Sequence, residues 1–323
     1  MSLRFLIVSA ACAAALVAQT QSPRIVVLEI ELDNSVVYIM DAADPAKRAI
    51  DPNPTTAAPV KAFNQACQLD DIVSVNGKPA KGLHMTCSWR MGFSPNPEPG
   101  WAIADAAISN SWPNCNWELL SKDGKSVGRF VDGGFFPHSI LGGAGAFFGA
   151  QGEHHSSAVP GRVGSRMASS SEDPSRRRLH AGSGAYRVQY YFSLPNYPGF
   201  EVTPQGPAVF HADDSSLVTP AKPARAGERL VARAKHLGPT TPYVMPGQPF
   251  PKFTGDPIPD VNADVEITAN GQPAEVLYKI GWPGETGIYR VDFRLPPGIA
   301  PGTASLQLTA AWIPSDEVKI PVQ

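Results

Sequence analysis

Three histidines and a glutamate, His138, Glu153, His154 and His155, fall within one glycine-rich stretch of this 323-residue chain. A transition-metal site needs imidazole or carboxylate groups converging from separate strands. Adjacent residues of a strand point to opposite faces, so His154 and His155 cannot both enter one interior, whereas Glu153 and His155 can share a face. No Cys-x-x-Cys or His-x-x-x-His spacing occurs. The simpler reading is a set of exposed loop histidines, and no metal is expected. His211-Ala212-Asp213-Asp214 offers carboxylates for a cation. It lacks the glycine and terminal glutamate of a calcium loop and reads as a polar turn. Glu172-Asp173-Pro174 followed by Arg176-Arg177-Arg178 could hold an anion through guanidinium forks. A solvated loop with mutually neutralising charges accounts for it more simply.

Nucleophilic catalysis has no signature here, since no Gly-x-Ser-x-Gly elbow is present. Asp105, Glu118 and Asp132 lie on strand-like segments, but no spacing pairs two of them across a glycosidase cleft. No cofactor-binding motif is present and no cofactor is expected. The remaining chemical resource is aromatic: Tyr38, Trp89, Trp101, Trp112, Trp117, Phe130, Phe147, Tyr186 and Tyr190. In a barrel of about eight strands, inward residues alternate and the lumen is just wide enough for one small ligand. The expected lining is Tyr38, Trp89, Asp105, Trp117, Phe147 and Tyr190. Ordinary core packing is the competing reading for each of them.

The elements that must position these residues are strands. The chain has 33 Pro and 29 Gly, and 17% of its residues are charged, which favours short strands and many turns over long helices. Residues 25–40 predict one or two strands broken near Asp33-Asn34. A hairpin follows, from Asp71 through the turn Asn76-Gly77-Lys78-Pro79 and back through Leu83 to Met91. A second hairpin runs from Asn116 to Leu120, turns at residues 122–125 and returns through Val127 to Val131. The glycines of 139–153 allow a tight bend, for which Phe147 and Phe148 supply apolar mass. Residues 154–180 read as polar, 185–194 as a strand, and 195–207, with four prolines, as a linker. After it, alternating apolar runs are separated by Asn-Gly, Pro-Gly and Pro-Pro-Gly turns, the pattern of a small antiparallel sandwich.

The N-terminus sets the compartment. Arg4 precedes an apolar stretch from Phe5 to Ala18, followed by polar residues, which reads as a secretory signal peptide. The stretch is shorter than the roughly 20 residues of a membrane span. The mature chain is therefore expected to be secreted or on the cell surface, with no membrane span, and a cell-envelope or extracellular partner would suit it. With 27 basic and 29 acidic residues, nothing favours nucleic acid or an anionic membrane. Cys67, Cys87 and Cys115 remain after cleavage. Two of them can pair in an oxidising compartment; Cys87 and Cys115, both in strand-like segments, are the preferred pair, and three buried thiols are the alternative.

Two resemblances add to this reading. The run LVTPAKPARAGERLVARAKHLGPTTP from Leu217 and the run NGQPAEVLYKIGWPGETGIYRVDFRLPPGIAPGTASLQLTAAW from Asn270 resemble the Ig-like, IPT/TIG-type domain that ends many uncharacterised secreted proteins of Solibacter-type soil bacteria. The likeness covers about residues 205–323, with a longer insert at 245–262, and implies no catalytic residues. Gly142-Gly143-x-Gly145-x-Phe147-x-Gly149-Ala150-x-Gly152 resembles a bend of dirigent-like and allene-oxide-cyclase-like barrels, with Gln151 where those have an Arg. That likeness implies an up-and-down barrel.

The expected fold is all-β: a signal peptide over 1–20, an antiparallel β-barrel over 23–195, a linker over 196–207 and an immunoglobulin-like β-sandwich over 208–323. The expected role is non-catalytic binding of a small apolar or aromatic ligand in the barrel, with the sandwich as spacer or adhesion module. The alternatives are a cyclase- or dirigent-like enzyme acting by positioning a reactive intermediate, and a purely structural cell-surface protein.

Overall fold

A computed structural model describes residues 22–40, 65–89, 114–133, 138–160, 166–169, 184–252, 255 and 257–323. All regular structure among them is β. Nine strands precede residue 195: β1 (Arg24–Met40), β2 (Gln65–Val75), β3 (Lys78–Trp89), β4 (Asn114–Leu120), β5 (Ser126–Gly133), β6 (His138–Gly145), β7 (Gln151–Ala158), β8 (Arg166–Ser169) and β9 (Gly184–Leu194). Their order is β2-β3-β4-β5-β6-β7-β9-β1, and β1 pairs back onto β2. Eight antiparallel strands therefore close a barrel, which leaves no open edge along that circuit. β8 adds to β1 in parallel.

Alternation selects the inner face. In β1, Val26, Leu28, Ile30 and Leu32 are buried, while the alternate residues Ile25 and Val27 are exposed. Asn34, with φ 54°, produces a bulge, so β1 continues as one strand where the sequence suggested a break. Asn76 and Gly77 both have positive φ, 51° and 73°, as a type I′ hairpin turn needs. The glycine-rich bend is the β6–β7 hairpin. A Cβ on Gly143 would stand 2.1 Å from the Phe147 carbonyl oxygen, so only glycine lets Phe147 fold back into the lumen. Phe147 is buried, while Phe148, expected to add apolar mass, is exposed. The strand β7 runs on to Ala158, so the polar stretch expected from residue 154 begins as strand rather than loop. Its outer face takes the polar side chains.

The turns at 76–77, 121–125 and 146–150 lie at one end of the barrel, where β9 also ends. At the opposite end, the rim, β1, β3, β5 and β7 end and β2, β4, β6 and β9 begin. The turn end abuts a second, eleven-stranded sheet that nearly closes on itself. Its path is Gly199–Phe200, Arg229–Lys235, Ile288–Arg294, Gln272–Gly281, Val265–Ala269, Gly302–Ala310 and Ile313–Pro314, with four further short strands attached. Segment 196–207 carries short strands of its own and buries Tyr197 and Phe200. One apolar core runs through both sheets. Polar contacts tie them together: Lys78 to Glu266 at 2.6 Å, Lys125 to Asp260 at 2.9 Å, Asn262 Nδ2 to the Ser126 carbonyl at 2.8 Å, and Arg24 to Asp316.

Candidate functional site

Cross-strand register builds one layer inside the barrel. Asp70 pairs with His84, His84 with Trp117, His138 with His154, and His154 with Tyr190. Directly opposed residues share a face, and these all face inward. Asp132 joins them from β5, two residues beyond Phe130 and so on the same face. His138 begins β6 and Asp132 is the penultimate residue of β5, which puts the layer toward the rim. Beneath it, Phe130 packs on Phe147 at 4.2 Å and on Phe192 at 5.2 Å between ring centroids, filling the lumen toward the turn end.

Asp132 is wholly buried. One of its oxygens, Oδ2, accepts from Trp117 Nε1 at 2.8 Å and from Tyr190 Oη at 2.8 Å. The same oxygen stands 3.0 Å from His154 Nε2, close enough for an ion pair but out of line for a hydrogen bond. The His138 and His154 rings stack at 4.8 Å and 11°, and His154 also stacks on Tyr190 at 4.8 Å. Asp132, His138 and His154 each bring one ligand-type atom within 4.8 Å of the others.

A second carboxylate–imidazole pair lies across Trp117. Asp70 Oδ2 is 2.5 Å from His84 Nδ1, and Gln68 Nε2 donates to both Asp70 oxygens at 3.1 and 3.2 Å. The His84 ring stacks on Trp117 at 3.8 Å. Among the described residues its Nε2, on the far side of the ring from Asp70, is buried and has no hydrogen-bond partner. A carboxylate on Nδ1 fixes the tautomer and stabilises the imidazolium, leaving Nε2 to exchange a proton.

Of the expected lining, Trp117, Phe147 and Tyr190 are inside the barrel. Asp105, Trp101 and Trp112 lie outside the described residues, as do the side chains of Tyr38, Trp89, Cys87 and Cys115. The backbone register sets Cys87 opposite Asn114 and also opposite Cys67, and Cys115 opposite Thr86. His138 and His154 are 9% and 4% exposed, which corrects their reading as exposed loop histidines. The strand pairing that buries them also turns His155 and Glu153 outward, where they pair at 3.2 Å. Glu118 is half-exposed and pairs with Arg129 at 3.1 Å. His211 is buried against Glu228, while Asp214 pairs with Lys222 in the polar turn expected there. Segment 170–178, with its charge cluster, lies outside the described residues. Asp70 and His84 were not singled out in the sequence; their one signal is that they flank the Asn76-Gly77 turn at nearly equal distance.

No family model matches the chain, and no curated protein matches it. Among solved structures, a pyocyanin demethylase aligns with 52% of this chain and 99% of its own at 14% identity and a TM-score of 0.25. A polysaccharide lyase aligns with 92% of this chain and 39% of its own at 7% identity and a TM-score of 0.18. Scores this low carry no argument about what this chain does.

Proposed function

We propose that the rim half of the barrel is a reaction chamber for a small apolar or aromatic molecule, in which His84, oriented by Asp70, takes a proton from the substrate or returns one. The observation that carries this reading is the buried Asp70–His84 pair with its unpartnered Nε2. A buried ring nitrogen without a hydrogen bond costs stability, and such costs concentrate at sites that do chemistry. Trp117, stacked on the His84 ring, supplies an apolar wall beside it. General base catalysis of this kind is worth about 10²–10⁴ in rate. The chemistry fits the cyclase- and dirigent-like barrels that the Gly142–Gly152 bend resembles, where positioning does much of the work.

In this reading the chain is exported, loses residues 1–20 and acts outside the cell or on its surface. Residues 208–323 form an immunoglobulin-like spacer or adhesion module. A second reading, a purely structural barrel, is favoured by the mutual packing of Phe130, Phe147 and Phe192, which fills the lumen toward the turn end.

The test is to incubate the full-length protein with a small-molecule extract of the organism's own culture medium and follow it by mass spectrometry. Depletion of one compound and growth of a product, both lost in His84→Gln and reduced in Asp70→Asn, is the expected result. A compound retained unchanged by the wild type and by His84→Gln alike would overturn the catalytic reading in favour of binding.

A further inference from the structure

We infer that Asp132, His138 and His154 bind one divalent first-row transition-metal ion inside the barrel. These residues are distinct from the Asp70–His84 pair, so the inference goes beyond the proton-transfer reading.

Chemistry and geometry both point this way. Two imidazoles and one carboxylate are a donor set that suits iron, cobalt, nickel or zinc, and as a group on one side of the ion they leave positions for water or substrate. All three residues are buried and come from three consecutive strands, β5, β6 and β7. His138 and His154 are direct cross-strand partners, so their stacked rings present nitrogens side by side. Ligands about 2.1 Å from one ion and at right angles to each other stand about 3 Å apart. His154 Nε2 and Asp132 Oδ2 are 3.0 Å apart without the alignment of a hydrogen bond, which is the spacing of neighbouring ligands. The widest separation in the set, up to 4.8 Å, must contract somewhat on binding.

The surroundings complete a second layer of contacts. Metal-bound carboxylates are usually oriented by further hydrogen bonds, and Trp117 Nε1 and Tyr190 Oη hold Asp132 in this manner.

The experiment uses the full chain, stripped with a chelator and titrated with Co(II). The expected result is one tightly bound equivalent per chain with visible ligand-field absorption. The His138→Gln/His154→Gln double variant should bind at least about 100-fold more weakly, and Trp117→Phe about 10- to 100-fold more weakly. His155→Gln, whose parent side chain faces solvent, should match the wild type. Circular dichroism checks the fold of each variant. A readout needing no variant is the proton NMR spectrum of the Co(II)-loaded wild type, which should show two paramagnetically shifted imidazole N–H signals. Absence of stoichiometric Co(II), fewer than two such signals, or equal affinity in a folded double variant would overturn the inference. His84→Gln should leave Co(II) binding unchanged. A protein whose turnover depends on His84 but which binds no Co(II) would therefore sink the metal site alone, and one that binds Co(II) without any turnover would sink only the proton-transfer reading.

Discussion

Tyr190→Phe isolates the hydrogen bond that most directly defines the interior layer. The substitution removes one oxygen from a residue with no exposed surface, whose hydroxyl donates to Asp132 at 2.8 Å. The ring contacts survive: Phe130 at 4.9 Å, Trp117 at 5.1 Å and His154 at 4.8 Å. A hydrogen bond to a charged partner is worth about 1.5–3 kcal/mol, so the expected loss is about 2 kcal/mol. With a urea slope of about 3 kcal/mol per M, that lowers the unfolding midpoint by roughly 0.7 M. The neighbour Tyr191 supplies the control. It is 52% exposed on the outer face, so Tyr191→Phe should change stability by less than about 0.5 kcal/mol. The assay is urea unfolding followed by circular dichroism, with both variants and the wild type in one buffer. A Tyr190→Phe cost below about 0.5 kcal/mol, or equal costs for the two variants, would refute the assignment of Tyr190 as an inward donor to a buried charge.

Further outcomes follow from the same packing. Gly143→Ala should cost about 3 kcal/mol or more, or abolish soluble expression, because the clashing atom is backbone and cannot swing aside. Gly142→Ala, where a Cβ meets nothing within 4 Å, should be nearly neutral, and thermal melts of the two test the bend. Burial pushes the Asp292 carboxyl up, but hydrogen bonds from Arg290 and Arg229 outweigh it and hold the group below its ordinary 3.8. A lowered carboxylate contributes stability that is present above that ordinary value and lost as pH falls through the folded one. Asp292→Asn should therefore flatten the acid limb of stability below about pH 4, measured as urea midpoints against pH. Burial pushes the Tyr289 hydroxyl up to about 12. A raised phenol stabilises the fold below its ordinary 10.0 and loses that contribution as pH rises toward about 12. Absorbance at the phenolate band should show a late-titrating component that shrinks by one tyrosine in Tyr289→Phe.

Much of the architecture was legible. The Asn76-Gly77 turn, the alternation of β1 and β9 and the glycine bend all act through local physics: positive φ, a period of two, and the absence of a Cβ. The candidate site was not, because polarity misassigns the faces that form it. In β5, Val131 is 37% exposed while Asp132 is wholly buried, the reverse of what hydrophobicity suggests. In β7, QGEHHSSA offers no apolar alternation at all, so His154 carries no sign of which way it points. Its direction is set by pairing with Tyr190 on β9, about 35 residues away in the chain.

The Asp70–His84 pair shows where the boundary falls. The sequence alone determined a hairpin about Asn76-Gly77, since that turn is encoded in two residues. A regular ladder from Val75 and Lys78 would have set Asp70 opposite Leu83. The irregularity between Ile72 and Ser74 advances the register by one residue and brings His84 across from Asp70 instead. A shift of one residue exchanges the faces of a strand. The closed barrel decides which register is kept, because β2 must satisfy β1 on one side and β3 on the other. Turn type is thus a local property of the chain, while the carboxylate that meets each histidine is fixed only when eight strands close on one another.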